Sequence, residues 1–183
     1  MKTTEVAIVV TLVALCVATN YALIGVYQVK VMDFIVFVGG FCFGPLIGAL
    51  IGFLPWTIYG ALNPLGFVPQ IWLATITMES IYGVVGGFLG RSFVKTGFRE
   101  QRLQFQAFFS AVGFLSTLAY DLVLSSVFAL VSDMPVFVAI IYGTPFHIVH
   151  EISNAAIFGF ASVPLLPVIR KMWSAKTIGL STK

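Results

Sequence analysis

Charge is what this sequence has least of. Lys, Arg, Asp and Glu together make up 9% of its 183 residues. A soluble domain needs far more charge to cover its surface, so a free-standing soluble enzyme or binding domain is excluded. Cysteine is nearly absent too: Cys16 and Cys42 lie in apolar stretches without metal-ligand spacing, and both read as buried free thiols. No G-x-x-x-x-G-K-[ST] phosphate loop, nucleophile elbow or paired Cys–His arrangement occurs. The alternation of a membrane β-barrel is missing as well. What fills the chain is hydrocarbon: 59% of residues are hydrophobic and the mean hydropathy is +1.02.

Spans of about 20 apolar residues then leave room for five or six helices and almost no extramembrane domain. Six are expected, at 5–27, 32–44, 45–62, 69–91, 104–131 and 140–170, forming an all-α polytopic membrane protein. The N-terminal run resembles a signal peptide, but it is long for one and carries Glu5 beside Lys2, so a retained first helix is expected. Phe43–Pro45 separates spans two and three, with Pro45 suited to a helix start. Gly60–Pro69 reads as a turn-rich loop and Ser132–Pro135 as a break, with 136–143 as a short external segment.

Basic residues set the orientation. Arg91, Lys95, Arg99 and Arg102 fall between spans four and five, and Arg170, Lys171, Lys176 and Lys183 in the tail. The positive-inside rule makes both segments cytoplasmic, and an even number of spans places both termini there. The loops at Gln28–Asp33, Gly60–Pro69 and Ser132–Pro135 then face outward. Small residues at i, i+4 spacing (Gly44/Gly48/Gly52, Gly83/Gly87, Gly86/Gly90 and Ala14/Ala18) mark faces for close helix packing.

Ionisable residues inside spans are few: Glu79, Asp121, His147, His150 and Glu151. A central charge costs about 2.5–3.5 kcal/mol on the insertion scale, so such residues point to function or mutual pairing. His147, His150, Glu151 and Asn154 follow i, i+3, i+4, i+7 and form one helical stripe, which Thr144 and Phe158 extend. At a rise of about 1.5 Å per residue, Glu79 stands roughly 18 Å from the cytoplasmic end, Asp121 and Asn154 roughly 25 Å, and His150 roughly 30 Å. Trp56, Tyr59, Trp72, Tyr82, Tyr120 and Tyr142 accompany them in the outer half, as pocket or interfacial-belt residues. Carboxylates with aromatic faces suit a cationic heterocycle. A transition-metal site drawing on His147, His150 and Glu151 is a competing reading, although H-x-x-H-E is not the H-E-x-x-H of zinc proteases. An intramembrane enzyme is a second alternative.

Six spans, the segment FGPLIGALIGFLPWTIYGALNPLG and the ALCVA of Ala14–Ala18 resemble the substrate-binding S component of energy-coupling factor (ECF) vitamin transporters. The resemblance implies a plasma-membrane subunit, without catalysis or cofactor, that binds a vitamin-type substrate from outside. It also implies partners: a membrane coupling subunit, met by Ala14 and Ala18, and two cytoplasmic ATPases. The substrate-binding residues it implies are Glu79, Asp121, His147, His150, Glu151 and Asn154, with Trp72, Tyr82 and Tyr120. Metal-transporting members carry an N-terminal Met-His pair where this chain has Met1-Lys2. A thiamine-like substrate fits the span-four glutamate and span-six asparagine best, and biotin less well, with riboflavin, cobalamin and a queuosine precursor left open.

Overall fold

The computed structural model describes residues 2–62, 66–96 and 102–177, excluding the side chains of 94–96, 170 and 172–177. Asn63–Leu65 of the expected loop, Arg99 and Lys183 therefore lie outside the described residues, as do the side chains of Lys95, Arg170 and Lys176. The described chain is all-helical: α1 (Thr3–Ala22), α2 (Met32–Phe43), α3 (Pro45–Tyr59), α4 (Pro69–Thr96), α5 (Arg102–Val131) and α6 (Val136–Thr177). Four of these, α1, α4, α5 and α6, are long and apolar enough to cross a membrane. The other two have 12 and 15 residues, about 18 and 22 Å at 1.5 Å per residue, short of a hydrocarbon core of about 30 Å.

Several boundaries differ from expectation. The first helix stops at Ala22 rather than near residue 27, and its successors form a loop in which Gln28 adopts a left-handed φ of 53°. Asp33, where the expected loop and the expected second span overlap, occupies the first turn of α2 and is buried, a favourable place for a carboxylate on the helix dipole. Residues 136–143 are not a separate external segment but the first turns of α6, which continues through Pro145, Pro164 and Pro167. The third helix begins at Pro45 as expected, after Gly44 turns the chain at φ 102°.

The glycine faces explain how α2, α3 and α4 come together. A methyl group at Gly48 would run into the Gly83 backbone, one at Gly87 into Pro45, and one at Gly52 would sit 2.6 Å from the Glu79 carbonyl oxygen. A methyl group at Gly44 would meet nothing within 4 Å, so this glycine serves the turn. These faces are therefore intramolecular, allowing backbones to touch where a side chain would hold them apart. Ala14 and Ala18 differ: both are exposed on the outer face of α1, whose opposite face buries Val9, Val13 and Cys16.

Ring packing closes the core. Phe37 and Phe41 of α2 meet Phe109 of α5, each at 5.9 Å between ring centroids, and Phe37 meets Phe158 of α6 at 5.0 Å. Edge-to-face aromatic pairs add about 0.5–1.5 kcal/mol each beyond the area they bury. The long α5 and α6 lie side by side and antiparallel, joined by the turn at 132–135.

Candidate functional site

The register between α5 and α6 builds the site. One helical turn after another, His147 Nε2 meets Ser125 Oγ at 3.1 Å, His150 Nδ1 meets Asp121 Oδ1 at 3.1 Å, and Asn154 Nδ2 donates to Thr117 Oγ1 at 2.8 Å. A methyl group at Gly113, the next step down, would lie 2.7 Å from the Phe158 ring. The i, i+3, i+7 spacing of the α6 polar residues thus matches the i, i−4, i−8 spacing of their α5 partners, as two antiparallel helices require. Gly143 leaves the space that the His147 ring occupies.

A third element completes the network. Asp33 of α2 accepts from His150 Nε2 at 2.9 Å and from Asn154 Nδ2 at 2.7 Å, both through Oδ2. His150 therefore bridges two carboxyl groups on different helices. Ionised carboxylates only accept hydrogen bonds, so with both Asp33 and Asp121 ionised each imidazole nitrogen carries a proton and the ring is cationic. Thr117 receives the Tyr82 hydroxyl at 2.8 Å and donates its own to the Gly113 carbonyl at 2.8 Å. Glu79 is buried beside Asp33 and Trp56.

Among the described residues above this network, three adjoining hollows share Lys30. The largest, about 890 Å³, is lined by residues including Gln28, Tyr120, Asp121, Ser125 and His147, with apolar walls from Leu124, Phe128 and Phe146. A second, about 320 Å³, lies among Trp56, Trp72, Thr75 and Tyr120. The third, about 250 Å³, opens under the loop after α1. The Lys30 ammonium stands 5.1 Å from the Tyr120 ring centroid and 6.0 Å from that of Trp56, within cation–π range. Burial works against its charge. The Tyr120 hydroxyl and the carboxyls of Asp33, Glu79 and Asp121 outweigh that effect and hold its pKa above the ordinary lysine value.

The expected site residues fall into separate groups. Asp121, His147 and Tyr120 line the large hollow and Trp72 the second, where its indole N–H donates to the Trp56 carbonyl at 2.8 Å. His150, Asn154, Tyr82 and Glu79 are sealed behind them. Glu151 lines none of the three hollows. Both nitrogens of His150 are engaged by carboxyl groups, and no group of three or more His, Cys, Asp or Glu side chains among the described residues is arranged to hold a metal ion.

Sequence reasoning missed Lys30, Asp33 and Gln28 by assigning them to an outer loop. A signal for Lys30 was present: every other Lys or Arg lies at position 2, within 91–102 or within 170–183. A basic residue far from all its kind in an apolar chain requires a local reason.

No family model, curated protein or solved structure matches the chain.

Proposed function

We propose that this chain is a six-span plasma-membrane subunit that binds a vitamin-type micronutrient from outside, the role of an S component in an ECF-type uptake transporter. The observation that carries the reading is the hollow of about 890 Å³. It lies among the connections 23–31 and 132–135, at the end of α5 away from Arg102, and combines aromatic and aliphatic walls with a few placed polar groups. Small-molecule sites have that size and composition.

Orientation supports it. Lys2, Arg91, Arg102 and Lys171 fall at the other ends of their helices, so the positive-inside rule turns the hollow outward and both termini toward the cytoplasm. In this arrangement α2 and α3 pack against α4, and local thinning of the bilayer meets their short length. The subunit performs no chemistry of its own; transport is powered by a coupling subunit and two ATPases. Ala14 and Ala18, exposed on α1, form part of the coupling face.

Calorimetry on the protein in lipid nanodiscs, against B vitamins and divalent metals, tests the reading. Saturable binding of one organic micronutrient supports it. Saturable binding of a metal alone, lost on replacing His147 or His150, favours the metal-transport alternative instead. Turnover of a substrate by the purified chain favours an intramembrane enzyme.

A further inference from the structure

Among the described residues, the hollows carry one formal charge left without an ion pair. Lys30 Nζ has no carboxylate oxygen within 4.0 Å among the described residues, and its close contacts are the faces of Tyr120 and Trp56. Among the described residues, Asp121 is the only acidic one lining any of the three hollows, and it is already tied to His150. Glu79, the other carboxyl expected to face a cationic ligand, is sealed away. A ligand entering here therefore meets a lone ammonium group and aromatic faces, not a free carboxylate.

We propose that the ligand carries an anionic group, a carboxylate or phosphate, which Lys30 binds, on a planar body that lies among Trp56, Trp72 and Tyr120. This rests on the binding-subunit reading above and names its substrate class. Three features converge on it. Lys30 lines all three hollows, and its ammonium stands beside the Trp56 and Tyr120 rings, which also line them. Trp56, Trp72 and Tyr120 wall the same hollow of about 320 Å³ as Lys30, placing aromatic faces next to the charge. Lys30 is also the one basic residue at this end of the helices, where the positive-inside rule gives no reason for a lysine. The competing account is that Lys30 balances the net charge of the Asp33–His150–Asp121 bridge from a distance, and the test below separates the two.

Matched acid and neutral probes decide. The full chain in nanodiscs is titrated with nicotinate and nicotinamide, pantothenate and pantothenol, biotin and biotin methyl ester, riboflavin phosphate and riboflavin, with thiamine as a cation. The expected result is saturable binding of one acid member, about tenfold or more tighter than its neutral partner, as a charge-assisted hydrogen bond supplies. Lys30→Met should erase that preference and Lys30→Arg should keep it, both with the unliganded thermal midpoint of the parent. The responding pair tells carboxylate from phosphate. Tight binding of a neutral probe or of thiamine, unchanged in Lys30→Met, overturns the anion proposal and leaves the binding subunit standing. A lowered unliganded midpoint in Lys30→Met with the acid preference intact assigns Lys30 to charge balance and also overturns it. Absence of saturable binding by every probe removes the binding-subunit reading itself.

Discussion

Replacing His150 with leucine removes the side chain that bridges Asp33 of α2 and Asp121 of α5. The two are close enough in size that packing is largely kept, so the change falls on the contacts at 2.9 and 3.1 Å to Asp33 and Asp121. Two magnitudes compete. Ordinary interhelical hydrogen bonds in membrane proteins average about 0.6 kcal/mol each, so a neutral network predicts a loss of about 1.2 kcal/mol. Removing one member of a buried ion pair costs about 3–5 kcal/mol, because a charge is left in a medium that cannot solvate it. Both ring nitrogens face carboxyl oxygens and both carboxyl groups are buried, so the larger figure is expected. Asp33 retains the Asn154 amide at 2.7 Å, which keeps the loss toward the lower end of that range. Reversible unfolding in mixed detergent and SDS, followed by circular dichroism, measures it. A loss of about 1.2 kcal/mol or less refutes the ionic bridge. The double variant Asp33→Asn/His150→Leu should recover part of the loss; strict additivity of the two changes would also refute it.

Three further outcomes are expected. Gly48→Ala presses a methyl group into the Gly83 backbone and should destabilise by about 1–3 kcal/mol, whereas Gly25→Ala, with nothing within 4 Å, should shift the thermal midpoint little. Replacing Ala14 and Ala18 together with leucine should leave the exposed-face protein folded, as read by thermal unfolding, while abolishing co-purification with a coupling subunit; normal co-purification would remove that face from the interface. The Lys30 pKa is raised above its ordinary value, so the ammonium persists as pH rises and is lost only above about 10.4. Preference for an acid probe should accordingly stay flat between about pH 6 and 9 by calorimetry, and a decline through neutrality would show that burial has neutralised the amine.

Much of the site could be read from the sequence because the residues that carry it sit on one helix. The spacing of His147, His150 and Asn154 alone puts them on a single face, and their α5 partners obey the same geometry. Lys30 and Asp33 escaped because they belong to the junction of a loop and a short helix. Periodicity says nothing about where a nine-residue connection folds. Trp56 and Trp72 were visible as aromatics but not as neighbours, since the bond between them joins α3 to α4 across a loop. Glu79 shows the converse limit: helical depth estimated its height, yet whether it faced a hollow or a seal depended on α2 and α3.

The sequence by itself determined the class of this protein, its helices and the stripe of polar residues on α6. Those follow from hydropathy and from the 3.6-residue turn, which act locally. Only the tertiary structure decided that Asp33 and Asp121 grip His150 from opposite sides, that glycine faces lock α2 and α3 against α4, and that Lys30 stands at the meeting point of three hollows. Each of these depends on which helix lies beside which, and on backbones approaching to contact distance. That information is a property of the packed bundle, and no single segment holds it.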